Sequence, residues 1–413
     1  MAPLTAVSRG VAVRILCVLA VGGCAQRPTG PSVSVSDSAG VPLYALSDLP
    51  PWDDPGFQWE VVLERSIPTE AESPSAEPLL YQPQGYARLP DGTLVVLDGA
   101  GTRIAIVDDT RNEVLRRFGP SGQGPGEIWS SNSTIWPAGQ ASFWILDPGN
   151  QRLSRFNVSG ALEEETPVRM AGMAGVVFQD PVEHVPWFWK IFVESDEERT
   201  LVDSIGRLDP EGQEVVFIAP MAPRVAQRRR SVPGERADLL APMGWFAPLG
   251  PDRVVAGRND SGRFRVYSRE GSLVGLIEAP MEQAPIAESE KPALLENYFG
   301  VARNAAAQGG RSIGDFYRLY DLMWGVEDSL FALQQSHLST PEGERRIPEG
   351  QTVWRVFSTT GEYAGAIVLP AGIAQPYWIE PGRIIATYRD EFGVATIQEF
   401  RLDRPGRQRR PDS

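Results

Sequence analysis

The sequence predicts an all-β fold, and three features support this prediction. Hydrophobic residues make up 42% of the chain and charged residues 22%, which is ordinary for a globular protein with a large core. The 41 Gly and 36 Pro are scattered between short β-branched and aromatic runs, as expected for a chain with many turns. Units of strand, tight turn and strand recur along the chain, as in TLVVLD (93–98) followed by RIAIVD (103–108).

The first 23 residues are predicted to be a signal peptide and not part of the fold. Arg9 and Arg14 form a basic n-region, and the apolar run at 15–21 is too short to span a bilayer as a stable helix. The following residues, VGGC (21–24), resemble the bacterial lipobox. This resemblance implies that Cys24 is lipidated and anchors the mature chain in the cell envelope, in the outer membrane because residue 25 is not Asp. The alternative is an ordinary secretory signal with an incidental cysteine.

Cysteine count and charge limit the function classes. Removal of residues 1–23 deletes Cys17, so the mature chain would hold Cys24 alone and no internal disulfide. The same cut changes the formal charge from 39 − 53 = −14 to 37 − 53 = −16. An acidic surface disfavours nucleic acid and anionic headgroups, so membrane association would come from the lipid.

The chain between the lipobox and the repeats is predicted to be a tether followed by one isolated strand. Residues 24–56 are rich in Pro, Ser, Gly and Asp, which is typical of a flexible linker. The run QWEVVLERSI (58–67) has a strand pattern and stands apart from the first full repeat. Six units follow it, and they cover 93–118, 142–168, 186–219, 253–278, 329–369 and 383–402.

Hairpins at this spacing predict a radial repeat, a six-bladed β-propeller over residues 57–403. The last unit lacks an outer strand, and a propeller closes its ring when one terminus completes the blade begun by the other. The strand at 58–67 is therefore predicted to pair with 395–402. Two tandem β-sandwiches are the alternative, although no linker divides the repeats into two groups. Residues 404–413 are predicted to be a disordered tail.

Two segments, one before the second unit and one within it, carry a family resemblance. The glycine-rich GPSGQGPGEI (119–128) and the hairpin LDPGNQRLSRF (146–156) resemble an NHL-type propeller repeat, in which a GxGPG turn leads into a blade. The glycine-rich segment is not a phosphate loop, because it lacks the terminal Lys-Ser/Thr and precedes a strand. It is interpreted as a turn between blades that needs glycine at positive φ.

One segment interrupts the repeats. Residues 281–318 separate the fourth unit from the fifth, and 289–308 is predicted to be a helix with Ser289 as its N-cap. Its apolar face is predicted to contact one end of the propeller and to border the binding site, and the residues expected to do so are Leu294, Leu295, Tyr298 and Phe299. The alternative is that the helix only plugs the channel.

Few residues are candidates for catalysis. Asp98, Asp108 and Asp147 end strands at repeated positions, which favours turn capping. The only histidines are His184 and His337, and no spacing links them into a zinc site or a serine triad. Propeller lyases of the NHL type use several histidines, so that activity is not expected.

An oxygen-ligated metal is the remaining catalytic alternative. Gluconolactonase-like and regucalcin-like propellers bind a divalent cation such as Ca²⁺ through Glu, Asn and Asp. No spacing selects a ligand set here, and the acidic runs 163–165 and 196–198 are interpreted as solvated turns. The tryptophans are expected to pack between blades, with a channel-lining role for some as the alternative.

Two function classes therefore stay open. One is a lipid-anchored, non-catalytic propeller without a cofactor that binds a protein, peptide or glycan at the cell envelope. The other is a metal-dependent hydrolase or lactonase with its site in the central channel. The fold is compatible with both classes.

Overall fold

The structure is a computed structural model, and the part of the chain that it describes has gaps. It describes residues 31–68, 80, 83–99, 102–108, 111, 113–129, 133–168, 173–179, 186–193, 201–208, 215–224, 237–238, 240, 242–250, 252–297, 311–335, 347–348, 350–391 and 395–406. The predicted signal peptide, its lipobox and Cys24 lie outside these ranges, as does most of the predicted C-terminal tail.

The all-β prediction is confirmed for these residues, which form strands and a single helix. Three strands precede the repeats, and they are β1 (Val33–Ser38), β2 (Val41–Leu46) and β3 (Glu60–Pro68). Sheet 1 contains β4 (Pro83–Arg88), β5 (Leu94–Asp98), β6 (Thr102–Asp108) and β7 (Glu113–Pro120). Sheet 2 contains β8 (Thr134–Pro137), β9 (Ser142–Asp147), β10 (Arg152–Asn157) and β11 (Leu162–Pro167).

The next two sheets flank a short strand. Sheet 3 contains β12 (Met173–Gln179), β13 (Pro186–Val193), β14 (Leu201–Leu208) and β15 (Val215–Arg224). The short strand is β16 (Ala237–Asp238). Sheet 4 contains β17 (Gly244–Leu249), β18 (Arg253–Arg258), β19 (Arg263–Ser268) and β20 (Leu273–Glu278).

The insertion and the last two sheets complete the fold. The insertion carries α1 (Lys291–Asn297) and β21 (Arg311–Ser312), which pairs in parallel with β16. Sheet 5 contains β22 (Tyr320–Glu327), β23 (Leu330–Gln335), β24 (Thr352–Ser358) and β25 (Tyr363–Leu369). Sheet 6 contains β26 (Ile373–Glu380), β27 (Arg383–Arg389) and β28 (Ala395–Asp403), with β3 as its fourth strand.

The four strands that define each numbered sheet pair antiparallel, and the sheets have the arrangement of a β-propeller. The first strand of one sheet contacts the first strand of another in the pairs β4–β8, β12–β17, β17–β22, β22–β26 and β26–β4. Apolar side chains fill the space between neighbouring sheets, for example between sheets 1 and 2 and between sheets 4 and 5. The sheets of these pairs therefore bury apolar faces against each other, which explains their strongly apolar strands.

The predicted partner of the isolated strand is correct. β3 pairs antiparallel with β28, from Glu60 opposite Asp403 to Pro68 opposite Thr396. Buried Glu399 of β28 accepts hydrogen bonds from Arg88 at 2.6 Å and from Arg383 at 2.8 Å. A buried carboxylate is costly unless it is paired. The Arg88 guanidinium group joins sheet 1 to sheet 6 through a charge-assisted hydrogen bond to Glu399, and Arg383 pairs with the same carboxylate within sheet 6.

The prediction of a flexible tether over 24–56 is wrong for residues 31–56. β1 and β2 form a hairpin, and residues 43–45 of β2 pair in parallel with 276–278 of β20, which extends sheet 4 to six strands. Leu46 is buried in the core between sheets 4 and 5. We call residues 31–68 the N-terminal strap, because they run along the outer edges of sheets 4, 5 and 6 in turn.

The middle of the N-terminal strap is fixed to sheet 5. The backbone of Phe57 and Trp59 exchanges hydrogen bonds with Ala366 of β25 at 2.9 and 2.8 Å. The indole Nε1 of Trp59 donates to the Ala364 carbonyl at 2.9 Å, and the ring is buried in the core between sheets 5 and 6. Gly365 permits this approach, because a Cβ there would lie 2.1 Å from the Phe57 carbonyl oxygen.

Candidate functional site

The two ends of the sheets carry connections of very different length. In an antiparallel sheet, the connections that follow the second and fourth strands emerge at one end, and those that follow the first and third emerge at the other. We call the end with the connections after the second and fourth strands the insertion end, and the opposite end the turn end. At the turn end, each connection contains at most six residues, as at 180–185 and 209–214. At the insertion end, the connections include 121–133, 225–243, 279–319 and 336–351.

The longest connection, 279–319, folds back on itself at the insertion end. Ile286 N donates to the Asp315 carbonyl at 2.8 Å, and Tyr317 N donates to the Ala284 carbonyl at 3.0 Å. The ammonium group of Lys291, at the start of α1, lies 2.9 Å from the Asp315 carboxylate. The described part of the insertion is therefore a fixed structural element.

The structure describes two of the four predicted binding residues. Leu294 and Leu295 are partly buried against Leu240, Ile286 and Ile313, so they hold α1 onto the connection that follows sheet 3. Tyr298 and Phe299 lie outside the described residues, as does the rest of the predicted helix beyond residue 297.

The predicted N-cap of the helix is wrong. Ser289 is exposed within the turn before α1, and the Glu290 carboxylate instead accepts a hydrogen bond from Ala287 N at 3.1 Å. The Leu294 amide donates to the Glu290 carbonyl at 3.0 Å, as in the first turn of a helix. The glutamate thus performs the reciprocal half of a capping box in which alanine occupies the serine position.

Asn259 fixes the ends of two long connections, 225–243 and 279–319, to sheet 4. This fully buried residue follows β18, and its side-chain oxygen accepts from Met243 N at 2.8 Å while its Nδ2 donates to the Tyr320 carbonyl at 3.0 Å. Its carbonyl accepts from Leu319 N at 2.8 Å. Asn259 was missed in the sequence. It lies one residue beyond the end of β18, whereas Asp147 is the last residue of β9, but each accepts a hydrogen bond from a backbone amide that precedes the first strand of its sheet.

The turn-capping interpretation of Asp147 in sheet 2 is confirmed. Its carboxylate accepts from the backbone amides of Trp129 at 2.7 Å and Gly149 at 3.0 Å, and from Nδ2 of Asn150 at 2.8 Å. These bonds occupy both carboxylate oxygens of a buried side chain. Asp108 likewise accepts from the Arg111 amide at 3.2 Å.

The glycine-rich segment is a clamped turn, as predicted. Arg152 donates to the carbonyl of Gly124 at 2.7 Å, to that of Gln123 at 3.4 Å and also to that of Glu127, and it lies 3.2 Å from the Glu165 carboxylate. The segment contains glycine at positive φ at Gly119 and Gly126 (68° and 72°). Arg152 therefore fixes this segment together with Asn150, whose Nδ2 donates to the Gly122 carbonyl at 2.9 Å.

Two exposed aromatic side chains lie at the insertion end. Trp129, in the connection between sheets 1 and 2, is 53% exposed, and Phe316, in the insertion, is 51% exposed. Among the described residues, the other large exposed hydrophobic side chains are aliphatic and lie on outer strands, as Leu115 does on β7. Exposed aromatic rings are enriched where proteins bind partners.

The other inner-strand tryptophans pack in the core. Trp136 is buried, and Trp245, Trp324 and Trp378 are partly buried against the clusters between sheets. The expected packing role is confirmed for these four residues. Trp144 of β9 instead lies under the guanidinium group of Arg155, at 5.5 Å.

The acidic run 163–165 is not a solvated turn. It lies in β11, where Glu163 and Glu164 contact Arg155 and Glu165 contacts Arg152. The run 196–198 and both histidines lie outside the described residues. Within the described ranges, no group of three or more His, Cys, Asp or Glu residues is placed to hold a metal ion. The described helix is too short to cross a membrane.

Comparison with known proteins gives structural likeness only. No protein-family model and no curated protein matches the chain. A DUF4221 family member from Bacteroides vulgatus is similar in structure, with a TM-score of 0.45, 11% identity and coverage of 84% of this chain and 99% of that one. The calcium-binding protein regucalcin from Agrobacterium tumefaciens has a TM-score of 0.40 and 12% identity, with coverage of 85% of this chain and 96% of that one. YCF48 bound to D1 peptide has a TM-score of 0.41 and 11% identity, with coverage of 85% of this chain and 97% of that one. These similarities assign no function to the chain.

Proposed function

We propose that this chain is a lipid-anchored, six-bladed β-propeller of the bacterial cell envelope that binds a protein, peptide or glycan at its insertion end without catalysis. Lipidation of Cys24 anchors it in the outer membrane, and β3 closes the ring of blades. The VGGC motif supports the anchor. The pairing of β3 with β28 and the contact between β26 and β4 support the closed ring.

The difference between the two ends carries the proposal. Connections at the turn end are short, whereas the insertion end carries the fixed insertion and both exposed aromatic side chains, Trp129 and Phe316. Variable, long connections on a rigid scaffold are where binding residues concentrate. Among the described acidic groups of this end, Asp147 is occupied by backbone and amide donors, and Asp260 is paired with Arg258. These carboxylates serve the structure of the end, and a recognition role falls to the aromatic rings.

Site-specific photo-crosslinking in living cells tests the binding end. A benzoylphenylalanine residue is placed at Trp129 or at Phe316, with Leu115 as a control because it is equally exposed (58%) but lies on an outer strand. We expect adducts of defined mass from both aromatic positions and none from position 115. Equal labelling at all three positions would contradict the proposal. Tight Ca²⁺ binding by the purified chain, measured by calorimetry, would instead favour the metal-dependent hydrolase.

The anchor is tested separately. Cys24→Ala removes the acylated side chain, so we expect the variant to leave the detergent phase or to keep its signal peptide. Two or three acyl chains hold a protein at a bilayer far more firmly than one. An unchanged detergent partition and an unchanged precursor size would show that Cys24 is not lipidated.

A further inference from the structure

Among the described residues, the outermost strand of sheet 4 has an open edge. The strand order of this sheet places β1 at its end, with β2 between it and β20. The sequence of β1 is VSVSDS, and Val35 is 65% exposed, more than any other large hydrophobic residue that the structure describes. Unpaired backbone amides and carbonyls at such an edge can accept another strand.

Comparison of the outer strands shows that β1 lacks the usual protection. Charges and prolines on edge strands oppose pairing with another chain. The strands β3, β7, β11 and β15 each contain charged residues and at least one proline. The outer strand of sheet 5, β25, is covered by Phe57 and Trp59. By contrast, β1 contains a single charged residue, Asp37, and no proline.

We propose that β1 pairs antiparallel with β1 of a second copy of this chain. With Ser34 opposite Ser34, each Val33 lies opposite Val35 of the other copy. Directly opposed residues share a face, so the valines meet on one face and the serines on the other. The two Asp37 residues then lie at opposite ends of the paired strands, so like charges do not meet. An isologous contact of this kind closes as a two-fold dimer.

Membrane anchoring allows a strand pairing as short as this one to hold a dimer. This step rests on the proposed lipidation of Cys24. Val33 lies nine positions after Cys24 (33 − 24 = 9), with eight residues between them. Nine positions span at most about 32 Å, so β1 stays close to the bilayer surface. Confinement of two copies to one surface raises their effective concentration, as a linker does for tethered modules.

Cysteine crosslinking of the full-length protein in membranes tests the pairing and its register. In the lipidated mature chain, Ser34→Cys introduces the only free thiol. We expect oxidant to produce about tenfold more covalent dimer from Ser34→Cys than from Ser38→Cys, because proximity governs the rate and the two residues at position 38 lie far apart. Val35→Lys added to Ser34→Cys should abolish the dimer, and Leu115→Lys, on an edge already protected, should not.

Three results would overturn the pairing: equal crosslinking at positions 34 and 38, persistence of the dimer with Val35→Lys, or an adduct to a different protein. Detergent partition of the same samples reports the anchor independently. If the protein is not lipidated, the proposed anchor fails, and the pairing is then judged in concentrated purified protein. There, too, Ser34→Cys must crosslink more than Ser38→Cys for the pairing to stand.

Discussion

Sheets 2 and 5 share one four-stranded pattern but are held in different ways. In sheet 2, the Arg152 guanidinium group binds carbonyls 28 and 25 residues away, at Gly124 and Glu127. In sheet 5, the Trp59 indole and the Arg355 guanidinium each make a hydrogen bond across 305 residues, to Ala364 and to Pro50. Sheet 2 is therefore stabilised locally, whereas sheet 5 depends on the N-terminal strap.

This difference concerns both stability and the order of folding. Closing a long loop costs more entropy than closing a short one, and non-local contacts slow folding. Sheet 2 can form its clamp once residues 119–165 are together. Sheet 5 is complete only when the first strands of the domain reach the last third of the chain. Loss of the strap should therefore damage sheets 4 to 6 and leave sheet 2 almost intact.

The largest expected effect is loss of the whole strap. Deletion of residues 25–67 removes β3 and leaves the edge of β28 unpaired, so we expect aggregation and little soluble protein. Deletion of 25–56 keeps β3 and Trp59 but removes β1, β2 and Trp52, so we expect soluble protein with a clearly lowered Tm. Soluble yield and calorimetry measure both effects. Equal melting temperatures for the two deletions would show that β3 does not stabilise sheet 6.

A single strap residue gives the next largest effect. Trp59→Ala removes a buried indole from between sheets 5 and 6 and should cost about 3–5 kcal/mol in the free energy of unfolding. The matched control Trp59→Phe keeps an aromatic ring but leaves the Ala364 carbonyl without its donor, which should cost about 1–3 kcal/mol. Denaturant titration measures both values. A Trp59→Phe variant as unstable as Trp59→Ala would mean that the hydrogen bond outweighs the packing.

The corresponding residue of sheet 2 is Arg152. Arg152→Ala removes one hydrogen bond from each of three carbonyls and the ion pair with the Glu165 carboxylate, and we expect a loss of about 3 kcal/mol. Arg155→Ala, whose half-exposed side chain pairs with Glu163, should cost less than about 1 kcal/mol.

Hydrogen exchange locates the damage. Protection should fall in sheet 2 for Arg152→Ala and in sheet 5 for Trp59→Ala. Loss of protection in both sheets with either variant would show that the two regions unfold together and would refute the local character of the clamp.

Much of this architecture could be predicted from the sequence, because the strongest signals are local. Runs such as TLVVLD and SFWILD have four consecutive apolar residues, and strands buried on both faces have this pattern. The glycine-rich turn was recognisable because its glycines precede a strand. The pairing of β3 with β28 followed from counting strands, since the last unit lacked one.

The N-terminal strap and the fixing of the insertion were not predictable, for physical reasons. The β1–β2 hairpin turns at Ala39-Gly40, with φ of 55° and 87°, and alanine gives none of the Asn-Gly signal of such turns. Its first strand, β1, is rich in serine and has linker composition, and the hairpin is fixed through the pairing of β2 with β20, which lies far away in sequence. Asn259 likewise makes non-local contacts, to the ends of connections 225–243 and 279–319. No local sequence pattern reveals hydrogen bonds made across 16 and 61 residues.

Two buried tyrosines on inner strands should make the free energy of unfolding depend on alkaline pH. Burial raises the pKa of Tyr86 in sheet 1 and raises that of Tyr320 in sheet 5 well above its ordinary value. The unfolded chain releases these protons near pH 10, whereas the native state keeps them. The stabilisation is therefore fully present below about pH 10 and is lost as pH rises further, at about 1.4 kcal/mol per pH unit for each tyrosine. Unfolding titrations at pH 9 to 11 should show this slope, and each Tyr→Phe variant should reduce it. An unchanged slope in both variants would contradict the assignment.

At neutral pH the same two variants give the smallest effects, and the two should differ. The Tyr86 hydroxyl hydrogen-bonds Thr387 of sheet 6, so Tyr86→Phe leaves a buried hydroxyl without its partner and should cost about 1 kcal/mol. Within the part of the chain that the structure describes, the buried Tyr320 hydroxyl has no hydrogen-bond partner. Removing it relieves an uncompensated desolvation, so Tyr320→Phe should leave stability unchanged or raise it by up to about 1 kcal/mol. Denaturant titration at pH 7 measures both values. If Tyr320→Phe is at least as destabilised as Tyr86→Phe, the Tyr320 hydroxyl has a hydrogen-bond partner in solution. The two buried tyrosines would then not differ in this respect.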